Sequence, residues 1–563
     1  MGSRRPRILF FLFLLILARF PAGAAGPQHP AGEAVFGGKH VVLHAAPEQK
    51  ESPELVALTI QLDLAVREMA SRVPVELAAP IRITVEPDYV SQGRHAGEIG
   101  EAVRGQDADL LLVYNPADLP AYRYALAGVL LDRAGLAKRL PPALARGAAL
   151  WLSRDWYGKP YPDWLPLLAA TRVLPEPGDL LAPQEPAGTS ILLSTPVAAA
   201  VVDRLPGGTL AARLARLPEA ERVREILQRI VAAPGQAMAH PAPARGEFLK
   251  GVSLAMANRL DGGYHAPSVD RQLDAFARLG ANAVSLMPFA FQPGADRPEL
   301  HFLSHGPASE TDIGLIHAAR DARARGMRVL WKPHIWVGGG SWTGEIAMKG
   351  EADWAAWWKS YRRYVLHHAL LARWAGADLF CVGVELSKTI GREAEWRDLI
   401  AAVRLVYPGP VTYAANWYGD LETVRFWDQL DYVGVDAYFP LAAAPGADRA
   451  ALLKGAQEVA GRLARAARRS GRPVLLTEVG FAARREAWMS PHLEGGEYSE
   501  DDQATAYEAL FGALGRQPWL AGTFLWKAFS SPEGEGGRRR SASDFRFQGR
   551  RAEAVIGHYY SQK

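Results

Sequence analysis

Cysteine is almost missing: Cys381 is the only one in 563 residues. No intrachain disulfide can form, so the fold rests on its hydrophobic core alone. That suits a large periplasmic or secreted bacterial-type domain better than a small stapled one. A lone cysteine inside an apolar run reads as a small core residue. An excess of one charge is missing too. The chain carries 64 Lys and Arg against 60 Asp and Glu, a net +4. It has no long basic run beyond Arg538–Arg540, which reads as a solvated loop. This balance argues against a nucleic-acid partner. No H-E-x-x-H occurs, which removes the zinc helix of the common metallopeptidases. No glycine-rich phosphate loop follows any strand-like run, and neither a metal nor an organic cofactor is expected.

The apolar run Ile8–Leu17 is short for a membrane span, which needs roughly 20 residues, and Arg19 interrupts it. Arg4, Arg5 and Arg7 precede the run, and Ala22, Gly23, Ala24 and Ala25 follow it. This is the layout of a cleaved secretory signal over residues 1–25. The expectation is an exported protein, periplasmic or secreted, with no stable membrane span after cleavage. No cysteine lies at that site, which excludes a lipidated N-terminus.

What remains is ordinary globular composition, 49% hydrophobic and 22% charged, long enough for two domains. Residues 234–247, PGQAMAHPAPARGE, hold three prolines and little periodicity, as a linker does. Of 16 tryptophans, only Trp151, Trp156 and Trp164 precede it. The second part, residues 248–563, therefore uses flat aromatic surface that the first does not. It also repeats a strand–helix rhythm. Apolar runs begin at Lys250, Asn282, Arg328, Leu379, Pro410, Asp431, Pro473 and Leu520. Between them lie helical patterns such as VDRQLDAFARLG, with Val269, Leu273, Phe276 and Leu279 on one face. Eight such units predict an α/β chain closing as a (β/α)8 barrel, in preference to an open doubly wound sheet.

Residues 27–233 predict a smaller α/β domain, with strands in KHVVLHA, PIRITVEP and ADLLLVYN and a helix over Leu55–Met69. RLPPALARGAALWLSRDWYG, from Arg139, resembles the helix that follows the zinc helix in gluzincin-type metallopeptidases. The zinc helix should precede it, where YALAGVLLDRAG offers neither histidine nor glutamate. A non-catalytic role, structural or for binding a protein partner, is the expectation there.

In a (β/α)8 barrel the C-terminal ends of the strands face the active-site mouth. Polar residues should fall there, and they do. Run three ends with Lys332, His334 and Trp336, run four with Glu385, and run five with Asn416 and Trp417. Run six ends with Asp436 and Tyr438, run seven with Glu478, and run eight with Trp526 and Lys527. Two glutamates facing each other across a mouth suit glycoside hydrolysis. One carboxyl protonates the leaving oxygen while the other attacks or stabilises the anomeric carbon. Their environments must hold one protonated and the other ionised. Tryptophans present flat faces to sugar C–H surfaces, while Asn416, His334 and Lys332 can meet hydroxyls.

The stretches WKPHIWV, SWTGEI, DWAAWWKSY, LFCVGVELSKT, VYPGPVTYAANW, FWDQLDYVGVDAYFPL, LLTEVGF and SDFRFQGRRAEAV occur in order over residues 249–560. Together they resemble glycoside hydrolase family 113, the endo-β-1,4-mannanases of clan A. The resemblance implies that Glu385 is the acid/base and Glu478 the nucleophile of a retaining hydrolase. It further implies that Tyr438 holds the nucleophile and that Trp526 floors the −1 sugar site. Val384 stands where much of the clan has asparagine before the acid/base, so Asn416 is taken as the contact for the sugar 2-hydroxyl. Arg550-Arg551 replaces the family's lysine-proline and is assigned to packing. The substrate so implied is a polysaccharide or oligosaccharide, β-1,4-mannan first.

Blander roles stand beside these. His334 and Lys332 can be structural, Asp436 can bond a neighbouring strand, and Trp336, Trp342 and Trp417 can be core. Trp354, Trp357, Trp358 and Tyr361 fall at helical spacing and read as helix packing. Rival readings of the whole chain are a hydrolase of another β-glycan or bacterial exopolysaccharide, a non-catalytic carbohydrate-binding scaffold, and a metallopeptidase.

Overall fold

Parallel strands covered on both faces bury all their side chains, and four of the C-terminal strands do so without exception. Ala283–Leu286, Leu379–Val384, Val411–Asn416 and Val474–Val479 contain only buried residues. The computed structural model describes residues 33–231 and 247–562, apart from 187, 257–259, 303–309, 516 and 531–540. The expected export signal, residues 234–246 of the linker and Arg538–Arg540 lie outside the described residues.

Eight strands close a barrel in chain order, each parallel to its neighbours. They are Leu249–Ala255, Ala283–Leu286, Arg328–Trp331, Leu379–Val384, Val411–Asn416, Tyr432–Asp436, Val474–Val479 and Leu520–Phe529. Helices between them turn their apolar faces onto the strands. In Pro267–Leu279 the buried residues include Val269, Leu273 and Phe276. Several of these helices stop where a glycine takes the left-handed conformation, as at Gly280, Gly376 and Gly471.

The third run departs from the expectation of one long strand. Arg328–Trp331 belongs to the barrel, whereas His334–Val337 pairs with Phe289–Gln292 in a separate two-stranded parallel sheet. Pro333 lies between them and has no N–H to give to a ladder. Lys332 thus ends the barrel strand, and His334 and Trp336 ride on an extension above the rim.

The N-terminal part is a five-stranded sheet, Ala34–Gly37, Val41–Ala45, Ile81–Glu86, Leu110–Val113 and Ala102–Val103 in spatial order. The central three are parallel and the two outer ones antiparallel to their neighbours. Helix Pro53–Ala70 starts at Ser52, whose side chain accepts from Leu55 N, and buries Leu55, Leu58, Leu62 and Met69. Helix Pro142–Ser153 falls in the stretch that resembles the gluzincin pattern, and helix Leu119–Arg133 precedes it. This part leans on the outer barrel helices Asp312–Ala324 and Glu351–Ala375. Buried Asp118 takes Arg320 at 3.0 Å. Ser190 meets His367 Nδ1 at 2.7 Å, and His367 Nε2 meets Asp312 at 2.8 Å. No helix among the described residues is long and apolar enough to cross a membrane.

Trp354, Trp357, Trp358 and Tyr361 are buried on helix Glu351–Ala375, and the Trp357 and Tyr361 rings stack at 4.7 Å. They fill the space behind the fourth strand together with Trp396. That filling makes Gly383 indispensable. A Cβ there would fall 2.6 Å from the Trp396 ring and 2.9 Å from the Tyr361 hydroxyl. Gly383→Ala is expected to cost about 1–3 kcal/mol by overpacking, read as a lower urea midpoint at unchanged slope. A change below about 0.5 kcal/mol, the range of an inert surface substitution, would show that the aromatic wall yields.

Candidate active site

Strand register brings the polar ends to one level. Asn416 is opposite Asp436, and Asp436 is opposite Glu478, across strands five, six and seven. Glu385 comes just past strand four, where its N–H donates to Ala414 O at 2.8 Å. The chain turns sharply there, with Glu385 at φ 52°, a left-handed conformation unusual for a side chain of this size. Such strain costs about 1–3 kcal/mol and persists only where surroundings impose it. Here they do. Leu386 N donates to the Tyr413 hydroxyl at 2.9 Å, and Ser387 Oγ donates to Asp420 at 2.7 Å. Asp420 also accepts from Asn416 N at 3.2 Å, which ties the turn to strand five.

The two glutamates occupy opposite electrostatic environments. Glu385 accepts only from neutral donors, Asn416 Nδ2 at 2.8 Å and Trp342 Nε1 at 2.8 Å. Burial, then the charges of Asp436 and Glu478, push its carboxyl up to about 8, against the opposing pull of Trp342 and Lys332. Glu478 is gripped by an ammonium and a phenol. Lys332 Nζ donates to Oε1 at 2.5 Å, and Tyr438 OH donates to Oε2 at 2.6 Å. Charge-assisted bonds of this kind orient an anion.

Lys332 is shared. It also donates to Asp436 Oδ1 at 2.9 Å, and neither Lys332 nor Asp436 has any exposed side-chain surface. Burial alone would lower the Lys332 ammonium, but Asp436 and Glu478 raise it above its usual value. Asp436 is raised to about 7 by burial and by the Glu478 charge, opposed by Lys332 and by the Thr477 hydroxyl, which donates at 2.8 Å. His334 is held well below its usual range by burial, then by Lys332 and Lys527. Its ring is therefore neutral, with Nε2 3.9 Å from Glu478 Oε1 and no hydrogen-bond partner among the described residues.

Two expectations change. Lys332 and Asp436, read as sugar contacts, are sealed beneath Glu478, and a side chain with no accessible surface cannot touch a ligand. They position the carboxylate instead. Asn416, expected to contact the 2-hydroxyl, gives one amide N–H to Glu385 and accepts from Tyr418 N at 2.7 Å through Oδ1, which leaves its second N–H for that role. The remaining residues surround the mouth. Trp342 reaches Glu385. Trp336 is 61% exposed, its ring 6.5 Å from Phe289. Trp526 lies nearly parallel to His334 at 6.3 Å, and both Trp417 and Trp526 pack on Tyr438, Ala482 and Phe545. Sequence reading missed Thr477, Tyr413, Asp420 and Phe289. Thr477 and Tyr413 are single polar residues inside apolar strands, a signal visible in VLLTEV and VTYAAN. Asp420 and Phe289 act across loops, and nothing in their neighbourhoods announces it.

Among the described residues one group of metal-ligating type, Asp270, His317 and Asp321, gathers on outer helices rather than at the mouth.

Chemically, the arrangement offers a proton donor opposite an oriented anion, at an open mouth rimmed by tryptophan. Lys332→Met would leave two buried carboxylates facing each other without their cation. A loss of about 3–5 kcal/mol in chemical denaturation at pH 7 is expected. A near-neutral result would show that the carboxylates can take up a proton at little cost.

The model of Glycoside Hydrolase Family 113 matches residues 255–546. Among solved structures, the family 113 β-mannanase AaManA from Alicyclobacillus acidocaldarius is 28% identical, with TM-score 0.50, over 56% of this chain and 98% of its own. Another family 113 β-1,4-mannanase is 26% identical, with TM-score 0.49, over 56% of this chain and 100% of its own. No curated protein matches the chain.

Proposed function

We propose, because this chain belongs to glycoside hydrolase family 113, that its barrel cleaves a β-linked polysaccharide with a β-1,4-mannan-type backbone by double displacement. The observation that carries the mechanism is the contrast between the two carboxyls. Glu385, raised and bonded to neutral groups, suits the acid that protonates the leaving oxygen. Glu478, bonded by Lys332 and Tyr438, suits the nucleophile that attacks the anomeric carbon. In the first step the glycosidic C–O bond breaks, its oxygen takes the Glu385 proton, and a glycosyl–Glu478 ester forms. In the second, Glu385 takes a proton from water, the hydroxide oxygen bonds the anomeric carbon, and Glu478 leaves.

Action within a polymer is supported by where aromatic surface is exposed. Trp336, Trp342, Tyr418 and Tyr498 are the exposed large aromatics among the described residues, and all follow barrel strands at the mouth end. Several such platforms suit a chain of sugars rather than one. An export signal in residues 1–25 would bring the enzyme to polymer outside the cytoplasm. The N-terminal region would then serve as a docking module for a protein partner.

An activated 2-deoxy-2-fluoro glycoside should leave a covalent adduct on Glu478, located by peptide mass spectrometry; an adduct elsewhere would sink the assignment. Glu478→Ala should lower kcat at least about 1,000-fold. The pH profile tests Glu385. As the acid it must carry its proton, so kcat/KM should hold level below its pKa and fall on the alkaline side, toward pH 8. With a dinitrophenyl leaving group, which needs no proton, Glu385→Ala should lose that alkaline limb; a limb that persists belongs to another group.

A further inference from the structure

Two cations at the mouth meet no acid among the described residues. Lys527 follows Trp526 at the end of the eighth strand and is half-buried. Its Nζ lies 4.8 Å from the Trp526 ring centre and 5.1 Å from that of Phe529, and among the described residues it has no hydrogen bond or ion pair. Arg484 sits in the loop after strand seven, pinned by an antiparallel bridge to Tyr498. It too is half-buried, and its Nε is shielded from solvent with no hydrogen-bond partner among the described residues. After burial, the Arg484 charge is what lowers the pKa of His492, whose ring stands 5.9 Å from Trp417. Trp417 and Trp526 pack on the same three residues, so the two cations flank one aromatic wall.

Elsewhere in these loops pairing is the rule. Arg485 takes Glu497, Arg546 and Arg550 share Asp544, and Lys332 is held between Asp436 and Glu478. A half-buried cation without a counter-ion pays desolvation for nothing the fold supplies. A ring face compensates Lys527 in part. Sugar hydroxyls would bond either cation weakly, whereas a sugar carboxylate would neutralise it. His334 Nε2, in a side chain 10% exposed and without a partner, adds a neutral hydrogen-bonding edge to the same space.

We propose that the saccharide taken at this mouth is acidic, with one carboxylate seated against Lys527 beside the Trp526 floor and another against Arg484. The inference rests on the glycoside hydrolase reading and names its substrate class. The carboxylate can come from C6 of a uronic acid residue or from a pyruvate ketal on a neutral sugar.

Matched probes separate these cases: a β-1,4-linked mannuronate oligosaccharide, the neutral β-1,4-mannan oligosaccharide of equal length, and that neutral oligosaccharide bearing a pyruvate ketal. Calorimetry on full-length Glu478→Gln reads binding without turnover. At least one anionic probe should bind about tenfold tighter than the neutral one. That preference should fade as salt rises from about 0.05 to about 0.5 M. It should collapse in Lys527→Gln and return in Lys527→Arg. The anionic probe that wins assigns the position of the carboxylate. Equal binding of all three, or a preference that survives Lys527→Gln combined with Arg484→Gln, overturns the proposal. Acidic preference in a wild-type protein that cleaves none of the probes and no activated aryl β-glycoside would sink the hydrolase reading while leaving acidic recognition intact.

Discussion

Lys332 sits where two buried carboxyls converge, and its single ammonium decides how they can coexist. It lies at the end of the third barrel strand with no exposed surface, bridging Asp436 on strand six and Glu478 on strand seven. Burying an unpaired carboxylate costs several kcal/mol, and burying two side by side costs more. The ammonium between them offsets part of that cost and orients Glu478, while burial and the Glu478 charge still raise Asp436. Glu385, across the mouth, is raised first by burial and then by the charges of Asp436 and Glu478, against the pull of Trp342 and Lys332. Burial and one shared cation together set the environments of the two glutamates apart.

The rest of the barrel serves that arrangement. Pro333 stops the third strand at Lys332, so the chain lifts His334 and Trp336 onto a separate ribbon above the site. Aromatic packing behind strand four leaves room for nothing larger than Gly383, and the turn at Glu385 is held by Tyr413, Ser387 and Asp420. The strain of a left-handed glutamate is therefore borne by neighbours that are themselves fully buried or hydrogen-bonded. The large exposed aromatics among the described residues all follow barrel strands at the mouth end.

Among the described residues, the N-terminal region contributes none to this site. It binds the outside of the barrel through Asp118–Arg320 and the Ser190–His367–Asp312 chain. Those contacts are polar and buried, so they specify one docking geometry while leaving the mouth open at the other side of the helices.

Much of the fold was legible because burial writes itself in periodicity. Eight apolar runs with helical patterns between them describe a barrel, and the rule that strand ends face the mouth selects Glu385, Glu478, Tyr438 and Trp526 from hundreds of residues. The third run was misread as one strand although Pro333 was in plain view, because apolar residues continue on both sides of it. Lys332 and Asp436 were found at the right place and given the wrong neighbours. Chain position tells that a side chain points toward the mouth, but not how deep it lies or which of several facing groups it meets. The sequence alone determined the element order, the level of the polar ring and the two glutamates. Only the tertiary structure decided which carboxyl receives the shared ammonium, since that depends on distances between strands that no local pattern encodes.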